Sequence, residues 1–210
     1  MADIQYNFIN LPSRIEFENG HVISYLYDAD GIKLRTTHII GSDTTVTDYC
    51  GNVIYENGIP VKLLTEAGYV TLADSKYHYF VQDHLGNNRV VVDQSGNVEE
   101  VNHYYPFGGL LSSSVSNAVQ PYKYNGKELD RKNGLDWYDY GACMYDAALG
   151  RWHAVDPMSE KYYSISSYVY GLNTPHNCID PDGQKIIFVN GYFNDQSAYF
   201  TDFDFNYLRS

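Results

Sequence analysis

The chain has no stretch approaching the roughly 20 apolar residues that a membrane-spanning helix requires. Its N-terminus, Met-Ala-Asp-Ile-Gln, lacks the charged-then-apolar pattern of a secretory signal. Export is therefore expected to depend on another route or on a longer parent polypeptide. Basic residues are scarce, 14 Lys and Arg against 26 Asp and Glu, for a net charge of −12. No basic run exists, which sets aside nucleic acids and anionic membranes as partners, because phosphate binding depends on clustered Lys and Arg. The three cysteines, Cys50, Cys143 and Cys178, form no CxxC pair and have no metal-ligand spacing. The seven histidines include no i,i+4 pair and no HExxH. No metal and no cofactor are expected. Two Asp-x-Asp-Gly segments, Asp28 to Gly31 and Asp180 to Gly183, look like pieces of a calcium loop. Neither continues to a closing glutamate at the required spacing, so turn chemistry accounts for them better. Sustained helical periodicity is missing too, apart from weak candidates near Met158–Tyr163 and Lys123–Arg131.

What the chain has in excess is tyrosine, 22 residues against 9 phenylalanines and 2 tryptophans. Tyrosine suits pleated, half-exposed surfaces where the ring packs and the hydroxyl stays wet, which predicts much sheet with little deep, dry core. Turn signals recur at Asn19-Gly20, Asp30-Gly31, Asn57-Gly58, Gly86-Asn87, Gly96-Asn97, Asn125-Gly126 and Asn133-Gly134. Asn-Gly and Asp-Gly supply the positive φ angles of tight hairpins. Between them lie short strand-like runs, among them Ile23 to Tyr27, Tyr77 to Val81 and Arg89 to Val92, so the spacing predicts successive antiparallel hairpins. A loose repeat has the form strand, Tyr-x-Tyr-Asp-x-x-Gly, basic residue. It runs over 19–35 and again over 77–89, with a degenerate copy at 50–58. Units of this size cannot bury a face alone and must stack edge to edge. The Ser-rich stretch Leu110 to Asn117 has no periodicity, and we place a segment boundary there.

Two Asp-Pro steps, at Asp156 and Asp180, lie in a block dense in tyrosine, glycine and asparagine. Proline restricts each preceding Asp to extended backbone, which pre-aims its carboxyl. Such a pair fits an acid and base for peptide cleavage, and it equally fits two tight turns. Cys143 has no sequence-adjacent base to make it a nucleophile. Tyr77, Tyr79, Tyr104 and Tyr105 could suggest a sugar-binding platform, but aromatic packing in a sheet explains them more simply.

The ordered set of motifs settles on a family. Tyr-Asp-x-x-Gly repeats, His84-Leu-Gly-Asn87, Tyr104-Tyr-Pro-Phe-Gly108, Tyr124-Asn-Gly-Lys-Glu128, Leu149-Gly-Arg-Trp152, Asp156-Pro and Asp180-Pro-Asp-Gly resemble the Rhs repeat-associated core of YD-repeat polymorphic toxins, in its Bacteroidetes form. The resemblance covers roughly residues 15 to 184. It implies a mainly β fold, with YD-repeat hairpins over 1–110 forming part of a spiralling shell. A core plug with short helices and turns then spans 111–184, and 185–210 opens a variable C-terminal region, here truncated. It also implies self-cleavage by an aspartate pair, Asp156 and Asp180, with the cut at Gln184–Lys185. The implied partners are an upstream repeat shell, a C-terminal toxin domain and an immunity protein, in a secreted or cell-surface polypeptide. Two departures weaken the expected activity. Cys143 stands where the family has an arginine that assists the acids, and Gln184 stands where well-studied members have leucine. Arg151 is the nearest candidate to take the arginine's role. A non-catalytic structural or adhesive repeat module, including one that binds carbohydrate, is the competing reading.

Overall fold

The structure is a computed structural model and describes residues 3–116, 120–161 and 163–189. Its first part is one antiparallel sheet. The strands are β1 (Asp3–Tyr6), β2 (Pro12–Glu16), β3 (Val22–Tyr27), β4 (Lys33–Ile40), β5 (Asp43–Cys50) and β6 (Val53–Glu56). They continue with β7 (Ile59–Thr65), β8 (Gly68–Thr71), β9 (Lys76–Gln82), β10 (Asn88–Asp93), β11 (Val98–Val101) and β12 (Val115–Ser116). Each strand pairs only with its neighbours in sequence, so the sheet is a twelve-stranded meander. It runs on to Ser116, past the expected boundary at Leu110.

The Tyr-Asp-x-x-Gly repeat has a direct physical cause. Asp28 Oδ1 accepts the amides of Asp30 and Ile32, Asp83 Oδ1 those of Leu85 and Asn87, and Asp93 Oδ1 those of Ser95 and Asn97. Asn7 does the same for Ile9 and Leu11. The following glycine takes a left-handed φ, as at Gly86 (φ 76°) and Gly96 (φ 84°), which a side chain would resist. One acidic residue and one glycine thus close the hairpins at Asp28, Asp83 and Asp93, and turn chemistry is what the Asp28 segment carries.

The second part folds onto the sheet. It contains β13 (Glu128–Asp130), β14 (Trp137–Asp139), β15 (Met144–Asp146) and β16 (Arg151–Trp152) in one small antiparallel sheet. A final pair joins β17 (Cys178–Ile179) to β18 (Ile187–Phe188). Helix is limited, among the described residues, to single 3-10 turns. The weak helical signal at Lys123–Arg131 becomes a 3-10 turn at Tyr124–Gly126 followed by β13, because Asn125 (φ 49°) and Gly126 (φ 69°) reverse the backbone. That near Met158 becomes the 3-10 turn Ser159–Lys161.

The two parts share a core. Ile15, Ile23 and Tyr25 of the large sheet pack with Trp137 and Met144 of the small one and with Leu135 in the turn before β14. Polar bridges add to this contact: Lys33 reaches both Glu128 (2.7 Å) and Asp139 (2.6 Å), and His38 and Tyr25 both bond Asp130.

A second cluster corrects the expectation of wet tyrosines. Tyr124, Tyr138, Tyr140, Tyr145 and Tyr170 are all buried around Trp152. Their hydroxyls bond inside the protein. Tyr124, Tyr145 and Tyr138 donate to the carbonyls of Pro106 (2.9 Å), Phe107 (2.8 Å) and Gly108 (2.9 Å), while Tyr140 and Tyr170 both donate to Asn125 Oδ1 at 2.7 Å. Satisfied hydroxyls remove the penalty that would keep tyrosine at the surface. Tyr104 joins this cluster whereas Tyr77 and Tyr79 are exposed on β9, so the four rings form no common platform.

Candidate acid-pair site

The tyrosine cluster positions the Asp-Pro segments. Trp152, at the end of β16, donates its backbone amide to Tyr168 O, and the Asp156 amide bonds Ser167 O at 2.9 Å, which draws the Asp156 loop against 166–170. Asp180 follows β17 directly. Its turn lies on the Gly141–Cys143 segment: Ala142 N donates to Asp182 O (3.1 Å), and a Cβ on Gly183 would come within 2.9 Å of Cys143 N. At a φ of 76°, position 183 needs glycine on both counts.

Both predicted acids are buried, Asp156 to 5% exposure and Asp180 to 1%. Asp156 acts electrostatically on Asp180, and both act on the thiol of Cys143. Burial, then the facing charges of Asp156 and Asp182, push the Asp180 carboxyl up to about 7, against the amides of Gln184 and Gly183 that favour its charged form. Asp156 is also raised, chiefly by burial, with the Met158 amide opposing. Asp180 therefore keeps its proton to near neutrality. No hydrogen bond joins the two. Asp180 Oδ2 is buried, and no group among the described residues donates to it.

The expected cleavage point lies in the same turn. Asp180 Oδ1 accepts the amides of Gly183 (2.8 Å) and Gln184 (3.0 Å), and Asp182 Oδ1 accepts those of Gln184 and Lys185, both at 3.1 Å. Gln184 is half-buried and Lys185 exposed. Strands β17 and β18 straddle this peptide link, with Cys178 opposite Phe188 and Ile179 opposite Ile187.

Cys143 is buried and its thiol is pushed up to about 12 by burial and by both acids, so it stays neutral and unreactive. Arg151 does not reach the acids. Its side chain is exposed and makes no ion pair among the described residues, while its backbone bridges to Val169. Sequence reasoning missed two participants. Asp182 was legible only as a turn residue, yet it adds charge beside both acids. Lys127 comes from the Tyr124-Asn-Gly-Lys motif and donates its ammonium to Pro181 O at 2.5 Å, a contact no local pattern announces. A cavity of about 400 Å³ lies elsewhere, between the large sheet and the 120–132 segment. Lys33, Glu128, His38 and Asp130 line it and are already paired with one another. Among the described residues no group of three His, Cys, Asp or Glu could hold a metal ion, and no helix is long and apolar enough to cross a membrane.

This architecture recurs in solved toxin structures. The fold matches a chain in the crystal structure of TcdB2-TccC3 with a TM-score of 0.70, at 20% identity, over 86% of this chain and 10% of that one. It matches a chain of the Photorhabdus luminescens Tc holotoxin pore with a TM-score of 0.69, at 20% identity, over 94% of this chain and 10% of that one. In sequence the chain is 32% identical, over 82% of its length, to 6% of Salivary gland surface protein 1 of Aedes aegypti. It is 29% identical, over 65% of its length, to 15% of the toxin subunit YenC1 of Yersinia entomophaga. Against the tRNA3(Ser)-specific nuclease WapA of Bacillus spizizenii it is 28% identical over 86% of its length and 7% of that protein. No family model matches. The chain thus shares the β-rich fold of those solved structures, and it spans between 6% and 15% of the length of these three curated relatives.

Proposed function

We propose that this chain is the repeat-associated core of a larger Rhs-type toxin polypeptide, of the Bacteroidetes form, and that it severs itself at Gln184–Lys185. The meander would continue an upstream repeat shell, and the segment past residue 184 would lead into a variable effector, with an immunity protein as its counterpart. Such a polypeptide would act outside the cell or at its surface. The observation that carries the proposal is that Asp156 and Asp180 are both buried, with Asp180 holding its proton to near neutrality beside a turn whose amides Asp180 and Asp182 hold. Two carboxyls that cannot both ionise give one acid and one base. Charged Asp156 would take a proton from a water whose oxygen adds to the Gln184 carbonyl carbon, protonated Asp180 would polarise that carbonyl, and the proton held by Asp156 would pass to the Lys185 nitrogen as the C–N bond breaks.

One observation favours the structural alternative. Asp180 Oδ1 and Asp182 Oδ1 are each engaged by backbone amides, which is what turn caps do. Intact mass of the expressed chain over several days at pH 5 to 7 separates the two readings. A fragment ending at Gln184, abolished by Asp156→Asn and by Asp180→Asn, is the expected result. Chain that stays whole throughout, in the wild type and in Cys143→Arg, would leave only the passive module.

A further inference from the structure

We propose that Lys127 is the positioning residue of the acid-pair site: its ammonium clamps the turn that carries Asp180 and holds a positive charge against the carboxyls gathered there. The inference rests on the self-cleavage reading for its consequence, but its geometry stands independently.

The side chain is aimed from a fixed base. Lys127 leaves the 3-10 turn Tyr124–Gly126, its amide donates to Tyr124 O at 2.9 Å, and its carbonyl accepts from Lys123 N at 2.9 Å. Tyr124 is buried in the aromatic cluster, and Asn125 is held by two tyrosine hydroxyls. From there the ammonium passes over the Tyr140 ring, 5.3 Å from its centroid, and donates to the carbonyl of Pro181. That carbonyl lies in the segment whose amides cap Asp180 and Asp182. Burial disfavours the charge on Lys127, while Asp139, Asp180 and Asp182 favour it. A ring face and a carbonyl are what a partly desolvated cation needs.

The other groups that face Asp180 cannot do this. Asp156 and Asp182 are acids, Cys143 is a neutral thiol, and Tyr170 is a phenol whose ionisation burial suppresses. Arg151 faces solvent. No ion pair among the described residues engages Asp180 or Asp182, and it is the charge of Lys127 that these two acids favour.

The test is a titration of Asp180 in the whole chain by carboxyl-carbon NMR with labelled aspartate, assigned by the signal lost in Asp180→Asn. Compared with wild type, Lys127→Met is expected to raise the midpoint by about half a pH unit or more, while Lys127→Arg stays close to wild type. Lys127→Gln keeps a donor for Pro181 O and loses the charge, so it should follow Lys127→Met, and it serves if the methionine variant fails to fold. Where a fragment forms, the pH profile of its appearance should move to higher pH by the same interval. An unchanged midpoint in both uncharged variants overturns the role of Lys127. A moved midpoint with no fragment from any variant overturns the self-cleavage reading and leaves the role of Lys127 in place.

Discussion

Asp180 is where a buried carboxyl opposes stability above neutral pH. A carboxyl whose proton affinity is raised by folding binds its proton more tightly folded than unfolded. Its folded state is therefore favoured by acid. The contribution fades as pH rises from the ordinary carboxylate range to about 7, and above that the charged group is buried at full cost. Asp180→Asn removes the charge and keeps an oxygen for the capping amides. The variant is expected to be more stable than wild type by a few kcal/mol above pH 7, on the order of 1.4 kcal/mol for each tenfold gain in proton affinity that folding gives the carboxyl. The gain should shrink toward zero near pH 4. Urea denaturation at pH 4, 6 and 8 checks the sign, and a gain that grows as pH falls would contradict the assignment. The acids were legible in the sequence because proline marks each one. Lys127 was not, because its reach to Pro181 spans 54 residues and depends on the tyrosine cluster being built first.

At the level of strands and turns, the legible features were those whose cause is local. Each Asp or Asn that caps a hairpin meets its amides within four residues, so the punctuation of the meander can be read directly. The motif Tyr104-Tyr-Pro-Phe-Gly108 could be recognised but not explained, since its purpose is to offer three successive carbonyls to tyrosines that arrive later in the chain. Gly108 shows how tightly this element is made. It has a φ of 87°, and a Cβ there would stand 2.6 Å from the Tyr124 ring. Gly108→Ala should cost about 2–4 kcal/mol, from strain in the backbone and displacement of a buried ring. Gly20→Ala, also at positive φ but with nothing within 4 Å, carries the backbone part alone. Equal losses for the two in urea denaturation would show that the Tyr124 contact has no weight.

Across the whole molecule, the association of the second part with the large sheet depends on buried charge as well as on apolar area. Glu100 of β11 is 1% exposed and Lys123 3%, and their ion pair is 2.5 Å long, with Gln120 donating to the same carboxylate at 2.9 Å. Burial lowers the proton affinity of Lys123, and Glu100 opposes it. Breaking one side leaves an unbalanced charge in a dry place, so Lys123→Met is expected to cost about 3–5 kcal/mol. Pairing it with Glu100→Gln should recover much of that loss, as measured by thermal denaturation of both variants. The tyrosine excess belongs to this scale too. Composition correctly announced sheet, but whether a phenol stays wet depends on distant carbonyls, which composition does not contain. The pairing of β17 with β18 has a consequence for the order of events. A break between Gln184 and Lys185 lies in the loop of that hairpin, so hydrolysis alone would leave the two pieces zipped together by Cys178–Phe188, Ile179–Ile187 and the bond from Val189 N to Asn177 O. Were the chain cut there, severing and departure would be separate steps, the second governed by how easily so short a zipper slips under tension.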